Sequence, residues 1–382
     1  MTASPFVIVT SSFPIRKDGS EAAGAFVADL AERLAGHMPV RVVAPGISSG
    51  REFWCEGVEV FRYAAPEKPL STLKPWRLRD LLWIVRVWLG GMSATRKAVS
   101  GNPFEVLALW ALPCGEWARR ATKKRGGYAV WMLGSDIWSL GRIPVLKSML
   151  ARVVRDAKSA WADGYQLAVD ARLIEDRHIG FLPSTRAIGE TNVEVPSIRP
   201  PYRLLYLGRW HPNKGIDLLL DALEMLDDSD WSKIECVEIH GGGPLVAMVK
   251  ARVAGLAKRN RPVLFGTFLA KQEAEAAVAR ADWLLIPSRI ESIPVVFSDA
   301  VKMRRPVVTM PVGDLPRLIE EFDCGVLASS VDAPAFTRAI RDALAAGPAV
   351  FAEGVVRAAA AFSLQSVVEQ LLRDRTGGSG HG

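Results

Sequence analysis

The stretch 281–308, ADWLLIPSRIESIPVVFSDAVKMRRPVV, decides the fold. It opens on an apolar run (ADWLLIPS, 281–288), passes through a helical pattern with a proline near its start (IPVVFSDAVKMR, 293–304), and enters a second apolar run (PVVTM, 306–310). Two buried strands separated by one amphipathic helix read as a βαβ unit. Such a unit sets its strands parallel and lays the helix on one face of the sheet.

The same alternation extends outward. YRLLYLG (202–208), IECVEIHGG (234–242), PVLFG (262–266) and CGVLA (324–328) are further strands. GIDLLLDALEML, PLVAMVKARVAGLAKR and KQEAEAAVARA are the helices between them. A parallel sheet covered on both faces follows, and such sheets bind ligands at the carboxyl ends of their strands. The first half alternates less cleanly. Strands are expected at 6–10, 40–45, 104–110, 128–133 and 159–163, and helices at 23–36, 76–99, 115–125 and 145–157. No internal repeat is visible.

With 382 residues the chain exceeds one ordinary core and is expected to form two Rossmann-sized domains. The proline-rich VEVPSIRPPYR (193–203) reads as the linker, placing the domains at 1–195 and 196–361. A helix over 362–375 and a flexible tail over 376–382 follow. A cleft between two such domains is a usual place for ligands. Nearly half the residues are apolar and 23% are charged, which is ordinary for an α/β enzyme. The four cysteines show no CxxC spacing, so neither a disulfide framework nor a zinc site is expected, and a reducing cytosol is the simplest compartment. The start, MTASPFVIVTSSFP, has no basic region ahead of its apolar run and reads as a strand rather than a signal peptide. No run of 18 uncharged apolar residues suggests a spanning helix.

The net charge of +7 is unevenly placed. Segment 65–125 carries twelve Lys/Arg against four Asp/Glu, together with Trp76, Trp83, Trp88, Trp110 and Trp117. This composition suits an anionic membrane face or an acidic substrate. It equally suits core helices with a solvated basic face. Nucleic acid is disfavoured, because no helix-turn-helix, RRM or zinc-finger pattern accompanies the charge.

Three motifs carry chemistry. GRWHPNKG puts Arg209 directly after a strand and Lys214–Gly215 directly before a helix, an arrangement suited to a diphosphate; two surface cations on a loop are the plain alternative. IHGGGP (239–244) ends the next strand in three glycines, which let backbone approach a ligand. RIESIPVVFSDA holds two acids, Glu291 and Asp299, which either serve a ligand or simply complement a helix N-terminus.

Taken together, GRWHPNKG, HGGGP and the 281–308 stretch resemble, in order and spacing, the retaining nucleotide-sugar glycosyltransferases of family 4. That resemblance is specific over about 200–330. PIRKDGSEAAGAFVADLAERLA resembles the family's first glycine loop and helix, and FSLQSVVEQLL (362–372) its closing helix. It implies the GT-B fold, two facing Rossmann-like doubly wound domains with an inter-domain cleft, the closing helix crossing back to the N-terminal, acceptor-binding domain. It also implies sugar transfer from a nucleoside-diphosphate donor to a hydroxyl, with retention and with neither metal nor cofactor. Carried over residue by residue, Glu291 meets the transferred sugar, Asp299 the ribose, and Arg209 and Lys214 the departing diphosphate. Gly208, Gly243, Gly24 and the helix-start amides around Ser292 and Ile293 meet the rest of the donor. Eight residues of helix rise about 12 Å, which matches the spread of one nucleotide sugar.

Two positions depart from the family pattern. Asp299 stands where a glutamate is usual, and Leu133 in WMLGSDIW stands where many relatives have histidine. Asp136 remains, either on the sugar or acceptor side or as a cap of the following helix. His211 lies in the phosphate loop without an obvious catalytic part, and Gly19 is an alternative to Gly24. The expected role is surface polysaccharide or glycolipid synthesis in the cytoplasm, peripheral on the membrane through 65–125, with a lipid-linked glycan as one acceptor class. A non-catalytic GT-B partner protein and a nucleotide-sugar epimerase are the alternatives. A dinucleotide dehydrogenase is disfavoured, because no GxGxxG follows the first strand.

Overall fold

The computed structural model describes residues 4–17, 21, 24–66, 73–101, 105–122, 127–188 and 196–376. They form two compact units: one comprises the described residues up to Ser184 and those from Val367 onward, the other Thr185–Ser366.

In the first unit the strands are β1 (Phe6–Val9), β2 (Val40–Gly46), β3 (Gly50–Cys55), β4 (Val58–Ala64), β5 (Glu105–Leu109), β6 (Ala129–Met132), β7 (Ser159–Ala162) and β8 (Gly180–Phe181). They form one sheet in the order β3-β4-β2-β1-β5-β6-β7-β8. β1 runs parallel between β2 and β5, with Ile8 opposite Val42 and Leu107. Both faces of this strand are buried, so its sequence is an unbroken apolar run. The β3–β4 hairpin was not expected. It turns at Gly57, φ 76°, and Arg51 bridges to Glu59 across it. Charges along this exposed edge strand blur the alternation that would have revealed it. Helix Leu78–Ala98 covers β4 and β2. Of the tryptophans in its neighbourhood, Trp117 is core, edge-on to Tyr63 at 5.2 Å, while Trp76 is exposed.

In the second unit β9 (Tyr202–Arg209), β10 (Ile234–Gly242), β11 (Val263–Phe265), β12 (Trp283–Ile286), β13 (Val307–Thr309) and β14 (Gly325–Leu327) are all parallel, in the order β11-β10-β9-β12-β13-β14. The βαβ unit read from 281–308 is present: Leu284, Leu285 and Ile286 lie opposite Val307, Val308 and Thr309. Helices Leu315–Phe322, Ala333–Ala346 and Ala352–Ala361 were not read from sequence.

The units divide between 184 and 185 and again between 366 and 367, where 195/196 and 361/362 were expected. Hydrogen bonds account for this. Thr185 Oγ1 donates to the Phe362 carbonyl at 2.8 Å, and Lys302 Nζ donates to the Arg186 carbonyl at 2.6 Å, tying both crossing points to the second unit. Beyond Val367 the closing helix joins the first unit, with Gln370 donating to the Phe181 carbonyl at 3.2 Å and Ser159 bonded to Asp374. Residues 193–195 of the expected linker, and the tail from 377, lie outside the described residues.

Segment Pro348–Asp374 reaches a mean hydropathy of 1.2 over an 18-residue window, enough by composition to cross a membrane. It is folded as separate helical pieces, broken at Phe362–Ser363, and buries Phe351, Val355, Ala358 and Phe362.

Candidate active site

The second unit gathers the motif residues at the carboxyl ends of β9, β10 and β12. Register sets Gly208 opposite Gly241 and Arg209 opposite Gly242. After β9 the chain makes a short turn, Pro212–Lys214, capped by His211, whose Nδ1 accepts from the Asn213 amide at 3.2 Å. His211 is thus a cap for the loop, a role its sequence position did not reveal. Gly215 then enters the next helix at φ 66°, with its missing Cβ only 1.8 Å from the Pro287 carbonyl oxygen. No side chain fits there, so the loop after β9 lies against the end of β12.

That contact delivers Lys214 to Glu291. Their side chains form an ion pair, and Ser288 Oγ donates to the same carboxylate oxygen at 2.9 Å. The lysine and glutamate, read from sequence as separate ligand contacts, therefore meet. Arg289 ties the two loops further. Its guanidinium donates to the Pro212 carbonyl at 2.6 Å and grips Asp217 at 2.8 and 2.6 Å. The hydrogen bond from Arg289 holds the Asp217 carboxyl below its usual range. Ser288 and Arg289 went unread; "PSRIES" names them, but only the fold shows the loop they grip.

Arg209 is exposed, and no hydrogen bond or ion pair among the described residues engages its guanidinium. Beneath it Tyr206 donates to the Arg209 carbonyl at 3.1 Å. Burial, reinforced by the negative charge of Glu291, keeps this phenol protonated well above its ordinary range. The glycine run wraps a buried tryptophan: a Cβ at Gly243 would lie 2.7 Å from the Trp210 carbonyl oxygen, and one at Gly241 would lie 1.9 Å from that of Gly208. Only Gly242 faces open space. The close approach expected of Gly243 is thus to the protein's own chain, and Gly208 likewise abuts the Tyr206 hydroxyl.

The helix after Glu291 begins later than expected. Pro294 is its N-cap and Val295 its first residue, so Glu291, Ser292 and Ile293 lie in the loop before it, which bends at Ser292 and Ile293. The first-turn amides without a partner among the described residues belong to Val295 and Val296, since that of Phe297 already donates to the Pro294 carbonyl. Gly313 presses on this loop, its absent Cβ lying 2.3 Å from the Glu291 carbonyl oxygen. Asp299 is turned inward, 1% exposed, and paired with Arg186. Oδ2 meets that guanidinium, while Oδ1 is buried with no hydrogen-bond partner among the described residues.

In the first unit Gly24 takes φ 78° with its missing Cβ 2.6 Å from the Ser12–Phe13 backbone. Its smallness serves that contact. Gly19 lies outside the described residues. Asp136 is buried, and Oδ2 accepts from the Ala111 amide at 2.7 Å. Gly134, not Asp136, caps the short helix Ser135–Trp138. The carboxylate instead braces the turn after β5, where Trp110 takes φ 66°. Burial pushes the Asp136 carboxyl up. Among the described residues no cluster of three His, Cys, Asp or Glu is placed to hold a metal ion.

Residues 201–346 match the family described as Glycosyl transferases group 1. The D-inositol 3-phosphate glycosyltransferase of Mycolicibacterium vanbaalenii is 30% identical over 344 residues, covering 72% of this chain and 74% of that protein. Other curated relatives are matched over less than half of their own length. Among solved structures, sucrose-phosphate synthase from Thermosynechococcus elongatus superposes with a TM-score of 0.74 at 18% identity, covering 99% of this chain and all of that one. Anabaena HepE in complex with UDP-glucose superposes with a TM-score of 0.66 at 14% identity, covering 98% of this chain and all of that one. The two Rossmann-like units are those of the GT-B fold.

Proposed function

We propose that this chain, which belongs to the glycosyl transferases group 1 family, moves a sugar from a nucleoside-diphosphate donor to a hydroxyl acceptor with retention, and within that family is of the family 4 type. The observation that carries this reading is the Lys214–Glu291 pair at the carboxyl end of the sheet, with Arg209 unengaged beside it. A diphosphate entering this site competes with Glu291 for the lysine. Glu291, released, can accept hydrogen bonds from two sugar hydroxyls.

The bond from the anomeric carbon to the diphosphate breaks with its electron pair leaving on the diphosphate. The acceptor oxygen bonds to the same carbon, and its proton passes to the departing group. Lys214 and Arg209 offset the charge that collects there, an effect of roughly 3–4 kcal/mol for one well-placed donor in other enzymes. Two cations at the leaving group support a reaction without resident metal or cofactor. Val295 and Val296 offer amides to the donor as a helix N-terminus does to anions. HepE was solved with UDP-glucose, which makes UDP the first nucleotide to try.

For the acceptor we propose a membrane-borne glycan or lipid and a cytoplasmic, peripheral location. Helix Leu78–Ala98 supports it. Leu78, Leu82, Val85 and Leu89 are 73, 63, 47 and 63% exposed at helical spacing along one stripe. Lys74, Arg77, Arg79 and Arg86 flank the stripe, all exposed, and the helix's single acid, Asp80, is buried. That combination suits an anionic lipid face. The experiment is product analysis with nucleotide-sugar donors on wild type and Glu291→Gln. Glycosylated product or freed nucleotide that disappears in the variant supports transfer. Epimerised donor, or none of these with any donor, contradicts it.

A further inference from the structure

We propose that a cavity on the first unit is a binding site for a phosphomonoester. It lies between helix Leu78–Ala98 and the β3–β4 edge, measures about 560 Å³, and has Arg41, Arg51, Arg62, Lys97, Ser49 and Ser93 in its wall. Small-molecule sites commonly span about 300–1,000 Å³. Four cations face this space, and among the described residues no Asp or Glu lines it. Two of the cations are compensated from outside the cavity: Arg51 pairs with Glu59 and Arg62 with Glu52. The other two have no carboxylate partner among the described residues. Arg41 Nη1 donates to the Ala98 and Ser100 carbonyls at 2.7 and 3.1 Å, which leaves its Nε and Nη2 to a ligand. The Lys97 ammonium is exposed and makes no hydrogen bond or ion pair among the described residues.

Helical spacing builds one wall. Ser93 and Lys97 are four residues apart and face the same way, and Gly90, a turn earlier, carries no side chain to fill the space. A helix carboxyl end repels anions, but Arg41 occupies the last carbonyls here and offsets that pole. Surfaces ordinarily intersperse charges of both signs. In this cavity two unspent positive charges converge with two hydroxyls. Ser49 Oγ accepts from the Ala64 amide at 3.1 Å and retains its hydrogen to donate, as Ser93 does. Two charges match a phosphomonoester, which carries about −1.5 to −2 at pH 7, better than the single charge of a diester. Arg41 sits near the amino end of β2, away from the carboxyl strand ends where parallel sheets take substrates, so the site is separate from the transfer chemistry. A soluble phosphate ester is one source of this ligand. A phospholipid head is the other, because Ser93 continues the exposed stripe of Leu82, Val85 and Leu89.

Calorimetric titration with glycerol 3-phosphate, and with dimethyl phosphate as the diester, tests the site. Glycerol 3-phosphate should bind wild type at least about tenfold tighter, the worth of one added charged hydrogen bond. Lys97→Glu and Ser93→Glu should each abolish this preference and leave the unfolding midpoint in place, because both side chains are exposed. Arg33→Glu, the same charge change on helix Ala25–Ala35, should alter affinity by less than about twofold, since exposed charges outside the cavity are screened. Sedimentation with phosphatidylcholine vesicles carrying phosphatidic acid or, at equal surface charge, phosphatidylserine separates the two sources. A preference for phosphatidic acid that Lys97→Glu loses makes the ligand a lipid head. Glycerol 3-phosphate binding without that preference makes it a soluble ester. The vesicle arm rests on the membrane reading above; a wild type that ignores every vesicle sinks that reading, and calorimetry still decides the cavity. Binding of no phosphomonoester in solution or on vesicles, equal binding of monoester and diester, or equal losses in Lys97→Glu and Arg33→Glu would overturn the site.

Discussion

Lys214 and Glu291 stand 77 positions apart in the chain and meet as an ion pair, each the only ion-pair partner of the other among the described residues. Under the proposed donor role, the pair would hold both charges in neutralised form until a diphosphate arrives. It forms because Gly215 lets the loop after β9 lie against Pro287, and because Arg289 bridges the two loops.

Glu291→Gln separates binding from chemistry. The variant frees Lys214 from a competing carboxylate, so UDP should bind as tightly as to wild type or several-fold tighter in calorimetric titration. Sugar transfer should fall at least about a hundredfold, in the range seen when one stabilising group of a transition state is removed. Weaker UDP binding would mean that Glu291 acts on the nucleotide.

Arg289 sets the loop and lowers the carboxyl of Asp217. A carboxylate whose folded value lies below its unfolded one, about 3.9, stabilises the protein above that pH and loses this contribution as pH falls through the folded value. In Arg289→Gln the Asp217 titration, followed by carbon NMR, should move up toward the unfolded value, the acid limb of stability should flatten, and UDP affinity should drop several-fold. An unmoved Asp217 titration would dismiss the clamp.

Much of this site is legible in the chain, and the parts that are not share a cause. Strands β9 to β14 fall within one or two residues of their expected positions, since a parallel strand buried on both faces writes itself as a continuous apolar run. Lys214, Arg209 and Glu291 stand out because strand ends and glycines frame them. Asp299 read as an available acid, because its partner Arg186 is 113 positions away and pairing at that range leaves no local pattern. The edge hairpin β3–β4 hid behind its charges. Pro294 delayed the helix start from 292–293 to Val295, moving the free amides with it.

Asp136 is a brace. Asp136→Ala strands the buried Ala111 amide and should cost about 1–3 kcal/mol in denaturant unfolding. Asp136→Asn keeps an acceptor there and should cost less. The raised carboxyl fixes the sign with pH. Wild type carries this group's stabilising contribution fully below about 3.9 and loses it as pH rises through the folded value, so the deficit of Asp136→Asn should shrink between acid and neutral pH. A deficit that grows over that interval would oppose this assignment.

The exposed stripe of helix Leu78–Ala98 predicts lipid binding. Wild type should co-sediment with vesicles containing phosphatidylserine and much less with phosphatidylcholine alone, and binding should weaken in high salt. Leu82→Glu with Leu89→Glu should abolish sedimentation without shifting the unfolding midpoint by more than a degree or two, because both side chains already face solvent. Equal sedimentation of the double variant would remove the membrane reading.

The most direct measurement is thermal unfolding of wild type and Lys214→Ala against a series of nucleoside diphosphates. Ligand at about a hundred times its dissociation constant stabilises a protein by roughly 2.7 kcal/mol. One nucleoside diphosphate, UDP first, should raise the wild-type midpoint by several degrees, and Lys214→Ala should lose most of that rise. A series in which no nucleotide moves the wild type, or in which Lys214→Ala responds fully, would contradict the donor site described here.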